Sequence, residues 1–328
     1  MILRTVTLNP AIDQTVQLDR LVPGEVHRAA SVRRNAGGKG VNVASCLADW
    51  FGGRARIEAL GLLGRDNAAA FEALFADKDI ADVMVRVPGE TRTNIKLVAA
   101  GETTDINLPG FAAGAAALDE VRASLSAVAA GDVAVVSGSL PPGLSEETCA
   151  DLVLLLRRAG AQVVLDTSGA PLTRALAASA GDMPDVVKPN RHEIEDWAGH
   201  PLVGPNDVLT AASGLHDRGV ALVVVSLGAD GALFCNREGA LHARLPEVRG
   251  GSSVGAGDAM VAGIAAALAE GKGLEETARQ GTAFAAAKLT LSGPNLPGRD
   301  EVEALMRRVM ITPAADWAAE PASAGANR

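Results

Sequence analysis

The segment Val254-Gly255-Ala256-Gly257-Asp258-Ala259-Met260 sets two glycines and a carboxylate at the head of an Ala-rich helical run. Gly255 and Gly257 let backbone approach a ligand closely, and a helix start presents free N–H groups carrying partial positive charge. The turn Gly255, Ala256, Gly257 is therefore a site for a phosphoryl group or a developing oxyanion. Asp258, at the same helix start, is poised to take a proton from a hydroxyl while the amides hold the phosphate. The plainer alternative is a carboxylate that only caps its helix.

Several further segments carry anion or hydroxyl chemistry. Ala36-Gly37-Gly38-Lys39-Gly40 opens a helical run that includes Asn42, giving a second anion-friendly helix start with a point charge; a flexible turn with a solvated Lys39 is the competing reading. Thr91-Arg92-Thr93-Asn94-Ile95-Lys96 alternates, so Arg92, Asn94 and Lys96 share one face of a strand, and the guanidinium fork of Arg92 suits phosphate. Asp13 and Asn107 add polar groups nearby, although a solvent-facing polar strand is equally ordinary. Ser137-Gly138-Ser139-Leu140-Pro141-Pro142-Gly143 follows an apolar run, where the strand ends of open α/β sheets bind ligands. Lys188-Pro189-Asn190-Arg191-His192-Glu193 follows another. Its Asn190 and Glu193 lie one helical turn apart and could hold waters of Mg²⁺, or could instead form a capping box. Ser226-Leu227-Gly228-Ala229-Asp230-Gly231 is a third glycine-rich strand exit, suited to a nucleotide or to a simple β-turn.

Two familiar phosphate motifs are excluded. Gly255-x-Gly257 does not complete G-x-G-x-x-G, because Met260 stands at the last position, and Gly37-Gly38-Lys39-Gly40 lacks the hydroxyl residue that follows the P-loop lysine.

The elements that must position these groups are legible as short apolar runs. Ile2–Leu8, Ile57–Leu60, Val133–Val136, Val163–Leu165, Val186–Val187 and Leu222–Leu227 lack clean alternation, as strands covered on both faces do. Helical segments lie between them, so the pattern predicts an α/β fold with a largely parallel sheet and helices on both sides. Residues 10–35 and 84–110 break the rhythm with alternating segments and Pro-Gly turns. They predict antiparallel strands with one polar face, a small sheet over the main domain as a lid. The Ala/Pro-rich stretch 313–328 reads as a frayed tail.

Composition limits the partners. Lys and Arg total 30 against 39 Asp and Glu, a net charge of −9, so bulk charge attracts neither nucleic acid nor an anionic membrane. Anionic small molecules must be held by a few local cations and backbone amides. Cys46, Cys149 and Cys235 lie far apart without a C-x-x-C pair, which fits a reducing cytoplasm. Five scattered histidines form no HExxH, so a tightly held transition metal is not expected. The N-terminal residues do not read as a signal peptide, and no apolar run approaches 18 residues.

Order and spacing say more than any one segment. TLNPAID (7–13), GGKGVNVA (37–44), TRTNIK (91–96), SGSLPPG (137–143), KPNRHE (188–193), SLGADGAL (226–233) and VGAGDAMVAG (254–263) together resemble the ribokinase-like sugar kinases of the phosphofructokinase B family, from residue 1 to about 310. GGKG, TRTNIK and the DWAG at 196–199 are most similar to the branches acting on fructose 1-phosphate and tagatose 6-phosphate.

The resemblance implies a three-layer α/β/α kinase domain over 1–312 with a small β lid. The lid closes the sugar site and often clasps a second subunit, so a homodimer is expected. It implies ATP-dependent phosphorylation of D-fructose 1-phosphate to fructose 1,6-bisphosphate. Tagatose 6-phosphate or fructose 6-phosphate as acceptor, and a non-catalytic sugar-phosphate sensor, are the alternatives. Asp258 is then the base and Gly255, Ala256 and Gly257 the anion hole. Asp13, Gly38, Lys39, Asn42 and Arg92 carry over as sugar-phosphate contacts, with Ser139 a weaker one. Lys188, Asn190, Glu193, Ser226, Gly228 and Gly231 carry over to ATP and Mg²⁺. Two departures, Ala259 where relatives often have Ser and Ser253 where they have Thr, touch the helix start rather than the base.

Overall fold

The computed structural model describes residues 1–246, 254–291 and 293–319; Ser253 and residues 320–328 lie outside them. In chain order the strands are β1 (Ile2–Thr7), β2 (Ala11–Leu18), β3 (Ser31–Gly37), β4 (Arg56–Gly64), β5 (Ala81–Val87), β6 (Thr93–Ala99), β7 (Glu102–Asn107), β8 (Val133–Ser137), β9 (Gln162–Asp166), β10 (Val186–Val187), β11 (Leu222–Ser226), β12 (Ala232–Asn236), β13 (Gly239–Arg244) and β14 (Met310–Pro313). The helices are α1 (Lys39–Phe51), α2 (Ala69–Asp77), α3 (Ala115–Ser124), α4 (Thr148–Arg158), α5 (Gly169–Leu176), α6 (Arg191–Ala198), α7 (Pro205–Asp217), α8 (Ala256–Ala269), α9 (Leu274–Lys288), α10 (Arg299–Arg308) and α11 (Ala314–Ala318).

The main sheet runs β14-β13-β12-β11-β10-β9-β8-β1-β4-β5. From β11 to β5 every pairing is parallel, and β12 to β14 continue it antiparallel. Successive strand residues serve opposite cores. Val133 and Val135 pack with α1, α2, α8, α9 and α10, whereas Ala134 and Val136 pack with α3 to α7. Two buried faces explain why the strands read as unbroken apolar runs. The expected three-layer α/β/α arrangement is what forms.

Strand order reverses direction at β1. The chain proceeds to β4 and β5 on one side, then returns to β8 and onward on the other. Open α/β sheets bind ligands at such a switch point, beyond the carboxyl ends of the strands. Thr7, Ser137, Asp166, Val187 and Ser226 all end strands along this edge.

The second sheet, β3-β2-β6-β7, is the expected lid, with two corrections. Val85-Arg86-Val87 belongs to β5, which pairs with β4 in the main sheet. It alternates because it is an edge strand, with Arg86 turned to Asp82 and Glu72. The lid is also not wholly antiparallel: β2 and β6 are distant in sequence and pair parallel.

Register sorts the lid's faces. Arg33, Thr15, Lys96 and Asp105 form one row and Asn35, Asp13, Asn94 and Asn107 the next, on a polar face. The opposite face carries Val32, Val16, Leu97 and Thr104, then Arg34, Gln14, Ile95 and Ile106.

The frayed tail expected from residue 313 is corrected over 313–319. Pro313 pairs with Leu241 across β13–β14, Ala314 is buried, and Trp317 stacks on His242 with ring centroids 4.5 Å apart. No helix among the described residues is long and apolar enough to cross a membrane.

Candidate active site

Asp258 occupies the first turn of α8 and is 8% exposed. Gly255 begins the turn at φ +83, the left-handed region that favours glycine. Among the described residues the Asp258 carboxylate accepts no backbone N–H. Asn42 Nδ2 on α1 donates to its Oδ2 at 2.7 Å, so the side chain is not a helix cap. Burial, reinforced by the charge of Asp166, pushes its pKa up to about 6, against the pull of Asn42, Lys39 and Lys188. A carboxylate ionising near neutrality is suited to general-base work.

Asp166, the last residue of β9, was not singled out in the sequence and stands at the centre of a charged group. Its carboxylate is 1% exposed and sits between two lysines, with Lys39 Nζ at 3.1 Å from Oδ2 and Lys188 Nζ at 3.2 Å from Oδ1. Burial alone would raise its pKa, but the two ammonium groups outweigh burial and hold it below the usual carboxylate range. Lys39 is partly exposed; Asp166 and Asp258 raise its pKa against burial. A strand-end position beside Ser137 and Lys188 was the available clue, since all three lie on one edge of the sheet.

Lys39 and Arg92, both expected as sugar-phosphate contacts, keep different partners. Lys39 is held in the Asp166–Lys188 group. Among the described residues Arg92, on the approach to β6, donates only to backbone carbonyls: Pro10 at 3.4 Å, Asn9 at 3.4 Å and Leu108 at 3.5 Å. No carboxylate among the described residues forms an ion pair with it. Asn9 links this corner to Ser139, whose Oγ accepts from Asn9 Nδ2 at 3.1 Å.

Asp13 meets Asn94 on the lid's polar face, where Nδ2 donates to Oδ1 at 3.3 Å. Burial raises the Asp13 pKa despite Lys96, Asn94 and Arg92. Gly38, at φ +105, lets α1 start against Pro10, whose Cα would stand 2.8 Å from a Cβ at that position. A cavity of about 360 Å³ lies between lid and main domain. Asp13, Asn42, Lys96, Arg33, Gly255 and Lys288 are among its walls. Asn94, which meets Asp13 on the cavity wall, keeps its Oδ1 buried without a hydrogen-bond partner among the described residues, an acceptor that a polyhydroxyl ligand would satisfy.

Farther along the sheet edge, Asn190 and Glu193 form a complete capping box: Glu193 N donates to Asn190 Oδ1 at 2.9 Å and Asn190 N to Glu193 Oε2 at 2.8 Å. The charge of Glu193 also reaches Lys39. No group of three or more His, Cys, Asp or Glu gathers as a metal centre among the described residues. The donors thus fit a cation carried mainly by nucleotide phosphates and touched through water. Ser226, Gly228 and Gly231 form the turn from β11 into β12. The backbone of Ala243 closes against Gly231, so this residue serves the hairpin packing, while Gly228 remains on the surface.

The model of the pfkB family of carbohydrate kinases matches residues 6–300. A 1-phosphofructokinase of Xanthomonas campestris pv. campestris is 58% identical over 290 residues, covering 87% of this chain and 90% of its own. The 1-phosphofructokinase of Escherichia coli K12 is 40% identical over 311 residues, covering 94% and 97%. The crystal structure of Escherichia coli phosphofructokinase-2 with substrates and products superposes with a TM-score of 0.86 at 30% identity, covering 94% of this chain and 99% of that one. With the motifs in order and a switch-point crevice beneath a lid, the chain is a member of the pfkB family of carbohydrate kinases.

Proposed function

We propose that this kinase transfers the γ-phosphoryl group of ATP to the 6-hydroxyl of D-fructose 1-phosphate, giving fructose 1,6-bisphosphate and ADP. The observation that carries the mechanism is the buried Asp258, held by Asn42 beside a bare helix start. Its carboxylate takes the hydroxyl proton as the oxygen attacks phosphorus. The new O–P bond forms as the bond to the β,γ-bridging oxygen breaks. Gly255, Ala256 and Gly257 offer amides to the equatorial oxygens, and Lys188 stands beside Gly257, its Nζ 3.5 Å from where a Cβ would lie.

Arg92 fits the ester phosphate already on the substrate, because it is a half-buried guanidinium with only long contacts to carbonyls. Ser139 and Asn9 border that corner. Asp13, Asn94, Asn42 and the backbone at Gly38 suit the sugar hydroxyls. Lys39 bridges the two regions, with its charge turned toward Asp258 and Asp166. Lys188, Asn190, Glu193, Ser226 and Gly228 line the nucleotide side. Mg²⁺, touched through water by Glu193 and Asn190, would neutralise phosphate charge when bound. Orientation in the closed crevice contributes more than proton transfer, since positioning supplies roughly 7–11 kcal/mol in such reactions, and lid closure suppresses ATP hydrolysis.

The apolar outer face of the lid, with Val32 52% exposed and Ile106 44% exposed, supports a homodimer clasped through that sheet. Three buried thiols without disulfide partners fit a cytoplasmic setting.

A coupled ADP-release assay across fructose 1-phosphate, fructose 6-phosphate, tagatose 6-phosphate and fructose tests the assignment. The highest kcat/KM is expected for fructose 1-phosphate. Preference for another acceptor reassigns the substrate, and absence of turnover with all four leaves only a sugar-phosphate sensor.

A further inference from the structure

The anion-hole turn at the head of α8 has a buried lysine at each end. Lys188 flanks Gly257. At Gly255, Lys288 Cε lies 3.3 Å from where a Cβ would stand. Both lysines are 6% exposed, but their partners differ. Lys188 shares Asp166. Lys288 donates to the backbone carbonyl of Leu291 at 3.0 Å and forms no ion pair among the described residues.

A lysine at the last turn of a helix ordinarily caps carbonyls and complements the dipole while its ammonium reaches water. Lys288 ends α9, yet its side chain turns inward to line the cavity with Asn42, Gly255 and Lys96. Burying a cation without a carboxylate is unfavourable, and burial lowers its pKa, with Cys46 and Asp258 opposing the shift and Lys96 adding to it. A capping role alone does not account for this placement; a transient anion at Gly255 does.

We propose that Lys288 is a second cation of the anion hole, contacting oxygens of the transferring phosphoryl group on the Gly255 side as Lys188 does on the Gly257 side. This rests on the kinase reading above. Lys288 gives up no proton in the step. The hydroxyl proton goes to Asp258 and the leaving charge to ADP, while the ammonium stabilises the equatorial oxygens between them.

The test compares the unsubstituted enzyme with Lys288→Met and Lys288→Arg in full steady-state kinetics, with and without about 0.1 M methylammonium. Lys288→Met is expected to lower kcat on the order of 10²-fold, with KM for ATP and for the sugar phosphate each within about threefold. Lys288→Arg should keep a tenth or more of the parental kcat, and methylammonium should restore part of the Lys288→Met rate. A kcat within threefold of the parent overturns the proposal. So does a raised sugar-phosphate KM with kcat intact, or a Lys288→Arg variant as slow as Lys288→Met without amine rescue. Should Lys288→Met fail to fold, Lys288→Gln replaces it under the same criteria. The parent is assayed with whichever acceptor it turns over best, so a wrong acceptor is seen in the parent alone and a wrong role for Lys288 only in the ratio.

Discussion

Asn42 on α1 and Asp258 on α8 meet at 2.7 Å across an interface between helices more than 200 residues apart in the chain. The amide fixes one carboxylate oxygen of a side chain that is otherwise almost wholly buried. Burial and the neighbouring Asp166 keep the group from ionising at its ordinary pH, so positions with no local relation in sequence set the ionisation of one carboxylate.

Asp258→Asn preserves shape and a partner for Asn42 but removes the proton acceptor. Its kcat is expected to fall about 10²–10⁴-fold, with ADP affinity by calorimetry unchanged. The same variant should melt at higher temperature than the parent at pH 8. A carboxylate whose folded pKa is raised from 3.8 to about 6 contributes stability that is present below 3.8 and lost as pH rises through 6. The advantage of the amide must therefore shrink as pH falls toward 4.

On the proposed mechanism the ionised Asp258 is the working form, so kcat should fall on the acid side with an apparent pKa near 6. Asp166→Asn removes the negative charge that holds Asp258 up and frees Lys39 and Lys188 to act on it. The acid limb of kcat is expected to move to lower pH. The variant also leaves buried lysine charge without its counter-ion, a change that costs about 3–5 kcal/mol in chemical denaturation. A limb that stays in place separates Asp258 from the observed ionisation.

Arg92→Ala is expected to raise KM for the sugar phosphate about tenfold or more while KM for ATP stays within twofold. Lys39→Ala should instead lower kcat more than it raises either KM, because its ammonium is paired with Asp166 beside Asp258. Steady-state kinetics on the two variants read this contrast directly.

Leu97→Asp puts a charge in the middle of the lid's apolar face, between Val16 and Thr104. Light scattering is expected to show a dimer for the parent and a monomer for the variant. A variant that stays dimeric moves the interface elsewhere.

The parallel sheet and the helix start at Asp258 were legible because each had a local signature: doubly buried strands are continuously apolar, and the glycines before Asp258 mark where α8 begins. Asp166 was not, since a single Asp after Val163-Val164-Leu165 acquires meaning only when β9 lies beside β10 and its lysine. Lys288 was hidden in an Ala-rich helix for the same reason. The lid strands from 10–35 were readable by alternation, but β5 alternates too, as an exposed sheet edge must, and so was assigned to the wrong sheet. The parallel β2–β6 pairing follows from long-range closure that no turn residue announces. Ala and Pro from Pro313 onward suggested fraying, whereas pairing of β14 with β13 and the Trp317–His242 stack give residues 313–319 defined partners.

Transfer through Asp258 to the 6-oxygen of fructose 1-phosphate is read directly by ³¹P NMR of the reaction mixture. The unsubstituted enzyme should convert fructose 1-phosphate to a species with two monoester resonances, the new one coupled to the C6 protons, while Asp258→Asn leaves the single resonance over the same interval. A new ester at any other carbon, or its formation by Asp258→Asn at the parental rate, would refute this role for the carboxylate.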